Sequence, residues 1–156
     1  MIITFAGHRE VHEGMNLKER ILSAITENIK DRTVYFYCGG YGEFDNMCAR
    51  IVCELKPEKP GFKSVFVTPY ISSTRITKLQ SDFLYDEILY ADLERVPQRL
   101  AILKRNEYMV DKADLVIAYI EREEGGAYSA VKYAKKLNKK VVNIGSAEDI
   151  ENEENK

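Results

Sequence analysis

The sequence predicts a doubly wound α/β domain, in which a mainly parallel sheet of about five strands is flanked by helices. Short apolar segments alternate along the chain with longer segments whose apolar residues recur at helical spacing. This alternation is typical of parallel strands joined by helical crossovers. The strand segments are continuously apolar, which indicates that helices cover both faces of the sheet. The length of 156 residues fits one domain.

The first half of the chain contains three predicted strands and two predicted helices. Asn16 is predicted to cap the first helix, with Glu19 reaching back three residues later. The second helix is expected to end before Pro57, because the residue before a proline disfavours helical backbone. The strands are predicted at residues 2–6, 33–38 and 64–68, and the helices at residues 17–30 and 44–55.

The second half continues the alternation after a less regular segment, residues 70–96. Three alternatives stay open for this segment, namely a lid, a dimer arm or an ordered edge. Residues 88–90 within it suit a short strand or part of a lid. Pro97 suits the first turn of a third helix that runs to Lys112. Apolar strands follow at 115–120 and 141–144, separated by a helix with aligned apolar residues Ala127, Ala130, Val131, Ala134 and Leu137.

The composition limits the number of domains and the kinds of partner that the sequence supports. We predict one domain over residues 1–147 and a flexible acidic tail over residues 148–156. The formal net charge of −2 gives no support to nucleic acid as a partner. No apolar run approaches the roughly 20 residues that span a bilayer, and the first residues lack the features of a signal peptide. The sequence therefore predicts a cytoplasmic protein without a membrane partner.

The chain has three cysteines and two histidines, without the spacing of a metal site. No bound metal is therefore predicted. Cys48 falls in the apolar stripe of the second helix and is predicted to be a core residue. Cys38 adjoins a glycine-rich turn, where a packing role is expected and a reactive thiol is the alternative.

The second strand runs directly into this glycine-rich turn, which opens the second helix. Gly39, Gly40 and Gly42 let the backbone turn sharply and let a ligand approach a helix N-terminus. The alternative is a simple tight turn, in which Glu43 and Asp45 complement the helix dipole. Because two carboxylates repel a phosphate, we predict that this turn contacts a sugar or a base. Metal binding and general-base activation of water are further alternatives for Glu43 and Asp45, which are also the tentative catalytic residues.

A second turn suits a phosphate better. Gly125 and Gly126 open the fourth helix without an acidic neighbour after them, and Ser129 adds a hydroxyl group. Arg105 and Asn106 lie on the third helix. Arg105 is predicted to pair with a phosphate or with the acids of the first turn, and a solvated helix position is the alternative.

The end of the first strand is expected in the same cleft, because ligands of parallel sheets bind beyond the carboxyl ends of the strands. Gly7, His8 and Arg9 occupy this position. His8 is interpreted as a proton donor or as a base-stacking residue, with a purely structural histidine as the commoner alternative.

Four stretches together resemble the SLOG superfamily, in particular its YpsA-like branch. They are residues 4–9, residues 39–45, residues 105–114, and residues 125–127 with Ala134. The resemblance implies a Rossmann-like domain that binds nucleotides or nucleotide-derived ligands. It also extends to DprA and to LOG-type phosphoribohydrolases, which cleave the N-glycosidic bond of nucleoside monophosphates. The second glycine motif of those hydrolases continues to a catalytic glutamate, whereas residues 127–131 here contain no acid.

Three functions follow as hypotheses. The first is a binding or sensing module for a nucleotide or nucleotide-derived small molecule, with no other cofactor implied. The second is an N-glycosidic hydrolase or transferase acting on a nucleotide. The third is a protein-interaction domain with a vestigial cleft. Because relatives in this superfamily often form dimers, a homodimer is expected.

Overall fold

The computed structural model of the protein describes residues 1–12, 16–69, 84–91, 93 and 95–145. In this part of the chain, six parallel strands form one sheet and alternate with four helices. The strands are β1 (Ile2–Gly7), β2 (Val34–Cys38), β3 (Phe62–Thr68), β4 (Glu87–Tyr90), β5 (Leu115–Tyr119) and β6 (Lys140–Asn143). The helices are α1 (Leu17–Asn28), α2 (Glu43–Leu55), α3 (Gln98–Lys112) and α4 (Gly125–Lys136). The predicted fold class is confirmed.

The sheet has the strand order β4-β3-β2-β1-β5-β6. The chain moves outward from β1 to β4 and then returns to the other side of β1 with β5. Strand order therefore reverses between β1 and β5, which is where doubly wound sheets bind their ligands. The prediction of about five strands was one too few, because residues 87–90 pair in parallel with residues 65–68 of β3 as an edge strand.

Helices cover both faces of the sheet, as the continuous apolar runs predicted. On one face, Leu115, Ile117 and Tyr119 of β5 pack in a cluster that contains the apolar faces of α1 and α2. On the other face, Val116 and Ala118 pack against residues of α3 and α4. Strand β5 is therefore buried along its whole length.

Several predicted element ends differ from the structure by one or two residues. Asn16 precedes α1 but its side chain makes no capping hydrogen bond, so the predicted cap with Glu19 is not formed. Pro97 precedes α3 instead of lying inside its first turn. Leu137 follows α4 and is 40% exposed, so it does not continue the apolar stripe. The predicted tail, residues 70–83, 92 and 94 of the less regular segment, and the predicted domain end at residue 147 lie outside the described residues.

Candidate functional site

A cavity of about 310 Å³ lies beyond the carboxyl end of β1, next to the switch in strand order. The end of β1 forms one wall, α3 forms another, and the start of α4 forms a third. Most of the predicted ligand-binding residues line it, namely Gly7, His8, Arg9, Asp45, Arg105, Asn106, Gly125 and Gly126. Gly39, Gly40, Gly42, Glu43 and Ser129 are not among its lining residues. The topology thus brings together residues from five separate elements and loops.

The glycines of the first turn have packing roles inside the protein. A Cβ atom on Gly39 would lie 2.8 Å from Cζ of Arg105, and one on Gly42 would lie 2.8 Å from the Cα atom of Arg9. Gly42 also has a φ of +97°, a conformation that favours glycine. The sequence interpretation assigned these glycines to the approach of a ligand. The structure explains Gly39 and Gly42 by the close approach of two arginines, and Gly40 by the close approach of Phe66.

The two carboxylates of this turn face different surroundings. Glu43 is exposed, and its Oε2 atom accepts a hydrogen bond from the backbone N–H of Val11 at 2.8 Å. Asp45 lines the cavity, and its Oδ2 atom accepts hydrogen bonds from the backbone N–H groups of Gly39 and Tyr41. The Oδ1 atom of Asp45 is buried without a hydrogen-bond partner among the described residues. Burial therefore raises the pKa of Asp45, although its backbone hydrogen bonds and Arg105 oppose the shift.

Arg105 is a buried arginine that ties α3 to the first turn. Only 4% of the residue is exposed, and its Nη1 atom donates to the carbonyl oxygen of Gly39 at 2.8 Å. Its Nη2 and Nε atoms donate to Oδ1 of the neighbouring Asn106, at 3.1 and 3.3 Å. The alternative of a solvated helix position is wrong. Arg105 supplies a fixed positive charge at the cavity wall, close enough to Asp45 to stabilise the ionised carboxylate.

His8 joins β1 to the loop between β5 and α4. The residue is 4% exposed, and its Nε2 atom accepts hydrogen bonds from the backbone N–H groups of Glu121 and Arg122, at 3.0 and 3.4 Å. Burial is the main cause that lowers the pKa of His8, and the charge of Arg122 adds to it. Because backbone N–H groups only donate, the ring is neutral and carries its proton on Nδ1. The Nε2 atom thus has a structural role.

The start of α4 forms the wall most suited to an anion. Gly125 has a φ of +90°, and no heavy atom lies within 4 Å of its Cβ position. The Cβ position of Gly126 is also open, with Nδ2 of Asn106 nearest at 3.9 Å. Unpaired N–H groups at a helix N-terminus attract negative charge. The hydroxyl of Ser129 donates to the carbonyl oxygen of Gly125 instead of facing the cavity.

Arg122 and Tyr41 are among the cavity residues that were not predicted as ligand-binding residues. Arg122 lies in the loop before α4 and forms an ion pair with Glu124 at 2.9 Å. Tyr41 lies between glycines of the first turn and contacts Arg9. Both residues fall within turns that follow strand ends, so position relative to the strands was the signal that could have found them.

The described residues give no sign of further chemistry at the thiols of Cys38 and Cys48 or at a metal site. Cys38 and Cys48 are buried, and burial raises the pKa of both thiols well above the usual value. These findings support the packing role predicted for both cysteines. Among the described residues, no group of three or more histidines, cysteines or acids is arranged to hold a metal ion. No described helix is long and apolar enough to span a membrane.

Comparison with known sequences gives one informative relative. No protein-family model matches this chain. The chain is 26% identical over 142 residues to the uncharacterized SPbeta prophage-derived protein YoqJ of Bacillus subtilis (strain 168). The alignment covers 78% of this chain and 82% of YoqJ.

Solved structures show the fold. DNA processing protein A (DprA) of Helicobacter pylori superposes with a TM-score of 0.63 at 16% identity, over 96% of this chain and 67% of that chain. DprA of Streptococcus pneumoniae superposes with a TM-score of 0.64 at 17% identity. The superposition covers 94% of this chain and 51% of the pneumococcal chain. The protein TM1055 gives 0.54 at 13% identity, over 90% of this chain and 71% of that one. The chain therefore has a Rossmann-like fold that is similar to the fold of DprA.

Proposed function

We propose that the cavity binds a nucleotide or nucleotide-derived small molecule, with its phosphate at the N-terminus of α4. The observation that carries this proposal is the open, glycine-lined helix start at Gly125 and Gly126, which faces a cavity at the switch in strand order. The finer resemblance to the YpsA-like branch of the SLOG superfamily belongs to the same proposal. It rests on residues 39–45 and 105–114.

The charge around the cavity supports an anionic ligand. Arg9, Arg105 and Arg122 line it, whereas Asp45 is the only carboxylate-bearing residue among its described lining residues. Burial raises the pKa of that carboxyl group, and the three arginines outnumber it. The lining therefore carries more positive than negative side chains in a chain whose formal net charge is −2, and the ion pair of Arg122 with Glu124 offsets part of this excess.

The size of the cavity supports a small ligand. Its volume of about 310 Å³ lies at the lower end of the range of roughly 300–1,000 Å³ found for small-molecule pockets. Single-stranded DNA binding has been described for DprA of H. pylori. A compact cavity and a near-neutral chain favour a small molecule here, and a DNA strand is kept as a competing ligand in the test.

The geometry favours binding over N-glycosidic hydrolysis. A hydrolase needs a carboxylate that reaches the reacting atoms or the attacking water. The Oδ2 atom of Asp45 already accepts backbone hydrogen bonds, and its Oδ1 atom is buried. Glu43 does not line the cavity and accepts a hydrogen bond from Val11. The tentative catalytic role of these two acids therefore gains no support from their surroundings.

Isothermal titration calorimetry tests the proposal with purified protein. The ligands are the four common ribonucleoside 5′-monophosphates, NAD, ADP-ribose and a single-stranded oligodeoxynucleotide. We expect at least one nucleotide to bind in a saturable manner and the oligodeoxynucleotide to bind more weakly. Tighter binding of the oligodeoxynucleotide, or no binding of any nucleotide, would overturn the proposal. Chromatography of the same mixtures detects free base, whose release would show a hydrolase instead.

Native mass spectrometry complements the titrations. The mass of a ligand retained through purification would identify its chemical class directly. The same spectrum reports the oligomeric state, for which we propose a homodimer. A monomeric spectrum at micromolar protein concentration would contradict that part of the proposal.

A further inference from the structure

Tyr41 is an exposed aromatic residue at the edge of the cavity. The exposed large hydrophobic residues of the described chain are Tyr41, Leu100, Leu103 and Leu137, and of these only Tyr41 lines the cavity. It is 44% exposed, which leaves a substantial apolar surface in contact with solvent. A ligand that covers the ring removes this apolar surface from water, and that burial stabilises the complex.

The ring of Tyr41 is held in place before any ligand binds. The guanidinium carbon of Arg9 lies 4.6 Å from the ring centroid, and Nη2 of Arg9 donates to the tyrosine hydroxyl at 2.9 Å. The backbone of Arg9 is anchored, because its carbonyl oxygen accepts a hydrogen bond from the backbone N–H of Glu43 at 2.9 Å. The backbone N–H of Tyr41 donates to Asp45. A pre-organised ring loses little conformational freedom when a ligand stacks on it.

The other aromatic rings near the cavity are much less accessible. Phe5 and His8 also line it, but each is 4% exposed. His8 was interpreted as a base-stacking residue from its position after β1. Its burial leaves little ring surface for that contact, whereas Tyr41 is 44% exposed even with Arg9 over its ring.

We propose that Tyr41 stacks on a planar heterocyclic base of the ligand, with Arg9 fixing the orientation of the ring. The inference rests on the proposed function, because it assumes a phosphate at the start of α4. It specifies the ligand further: a compound with both a phosphate and an aromatic base, bound across the cavity from Gly126 to Tyr41. Aromatic stacking tolerates any base, so Tyr41 contributes affinity for bases in general.

Calorimetry with two kinds of compound separates this inference from the proposed function. Ribose 5-phosphate has the phosphate and the sugar of a nucleotide but no base. We expect the ribonucleoside 5′-monophosphates to bind more tightly than ribose 5-phosphate. Tyr41→Ala should weaken nucleotide binding about 5- to 150-fold, which is the usual range for loss of one stacking contact. The same substitution should leave the affinity for ribose 5-phosphate unchanged.

Two further variants control for structural effects. Tyr41→Phe keeps the ring and loses only the hydroxyl contact with Arg9, so it should retain most of the nucleotide affinity. Tyr128 also carries a cation over its ring, Lys132 at 5.5 Å, but does not line the cavity. Tyr128→Ala is therefore the matched control, and it should not change nucleotide affinity.

A fluorescent variant reports the contact directly. The chain contains no tryptophan, so Tyr41→Trp introduces a single selective fluorophore at the site. Nucleotides should change its emission and ribose 5-phosphate should not. Equal affinity of wild type for nucleotides and ribose 5-phosphate, or an unchanged preference in Tyr41→Ala, would overturn the role of Tyr41 and leave the phosphate site standing. Failure of all these compounds to bind would refute the proposed function and this inference together.

Discussion

Replacement of Gly126 by aspartate separates phosphate binding from stability. Gly126 is exposed in the first turn of α4, and its Cβ position has no heavy atom nearer than 3.9 Å. A side chain therefore fits there without a clash. An acid in the first turn of a helix also complements the helix dipole, by about 0.3–1 kcal/mol. We expect Gly126→Asp to fold and to unfold at a temperature no lower than the wild type.

The same carboxylate would lie beside a phosphate bound at the start of α4. Two unit charges about 4 Å apart repel by about 1 kcal/mol in bulk water and by about 4 kcal/mol at the effective dielectric constant of a protein surface. Nucleotide binding should thus weaken roughly 5- to 1,000-fold. Because Gly126 is exposed, we expect the loss to lie in the lower part of this range. Added salt should reduce it further.

Gly126→Asn is the matched control, since asparagine has nearly the same shape and no charge. Calorimetry of wild type and both variants, with the best nucleotide of the panel, measures the two effects. The difference between the aspartate and asparagine variants isolates the charge. Wild-type affinity in Gly126→Asp, or an equal loss in both variants, would refute a phosphate at this helix start.

Three further predictions concern the residues around the cavity. Arg105→Lys should lower the free energy of unfolding, measured in urea, by about 2–4 kcal/mol, because it removes hydrogen bonds of a buried guanidinium. A loss below about 1 kcal/mol would contradict the role of Arg105 in tying α3 to the first turn. Burial raises the pKa of Asp45, so the folded state binds that proton more tightly and stability falls as pH rises through the raised value. Asp45→Asn should remove this loss of stability with rising pH. Urea unfolding curves that shift equally with pH for the wild type and for Asp45→Asn would refute the prediction. Cys53 is partly exposed, whereas Cys38 and Cys48 are buried. Intact-mass measurement after alkylation of the folded protein should therefore show one fast modification, at Cys53. Fast modification of Cys38 would argue against its packing role.

The alternation of apolar segments was enough to predict the parallel sheet and the region of the site. Parallel strands with helical crossovers place all carboxyl ends at one edge of a sheet. That rule pointed to the turns at residues 7–12, 39–45, 68–75 and 121–129, and residues of the first, second and fourth of these turns line the cavity. Strand β4 was uncertain because an edge strand is only partly buried and has a weak apolar pattern.

The roles of individual residues in the site depended on distant contacts. The carbonyl oxygen of Gly39 accepts a hydrogen bond from Arg105, which is 66 positions away, and no local pattern encodes such a pair. The sequence by itself determined the class of fold, the edge that carries the candidate site and the glycines that open α4. Only the tertiary structure decided that Gly39 makes room for Arg105, that His8 is buried, and that Tyr41 is exposed. Periodicity reports which residues face the core, whereas close packing between distant segments decides what each residue contacts there.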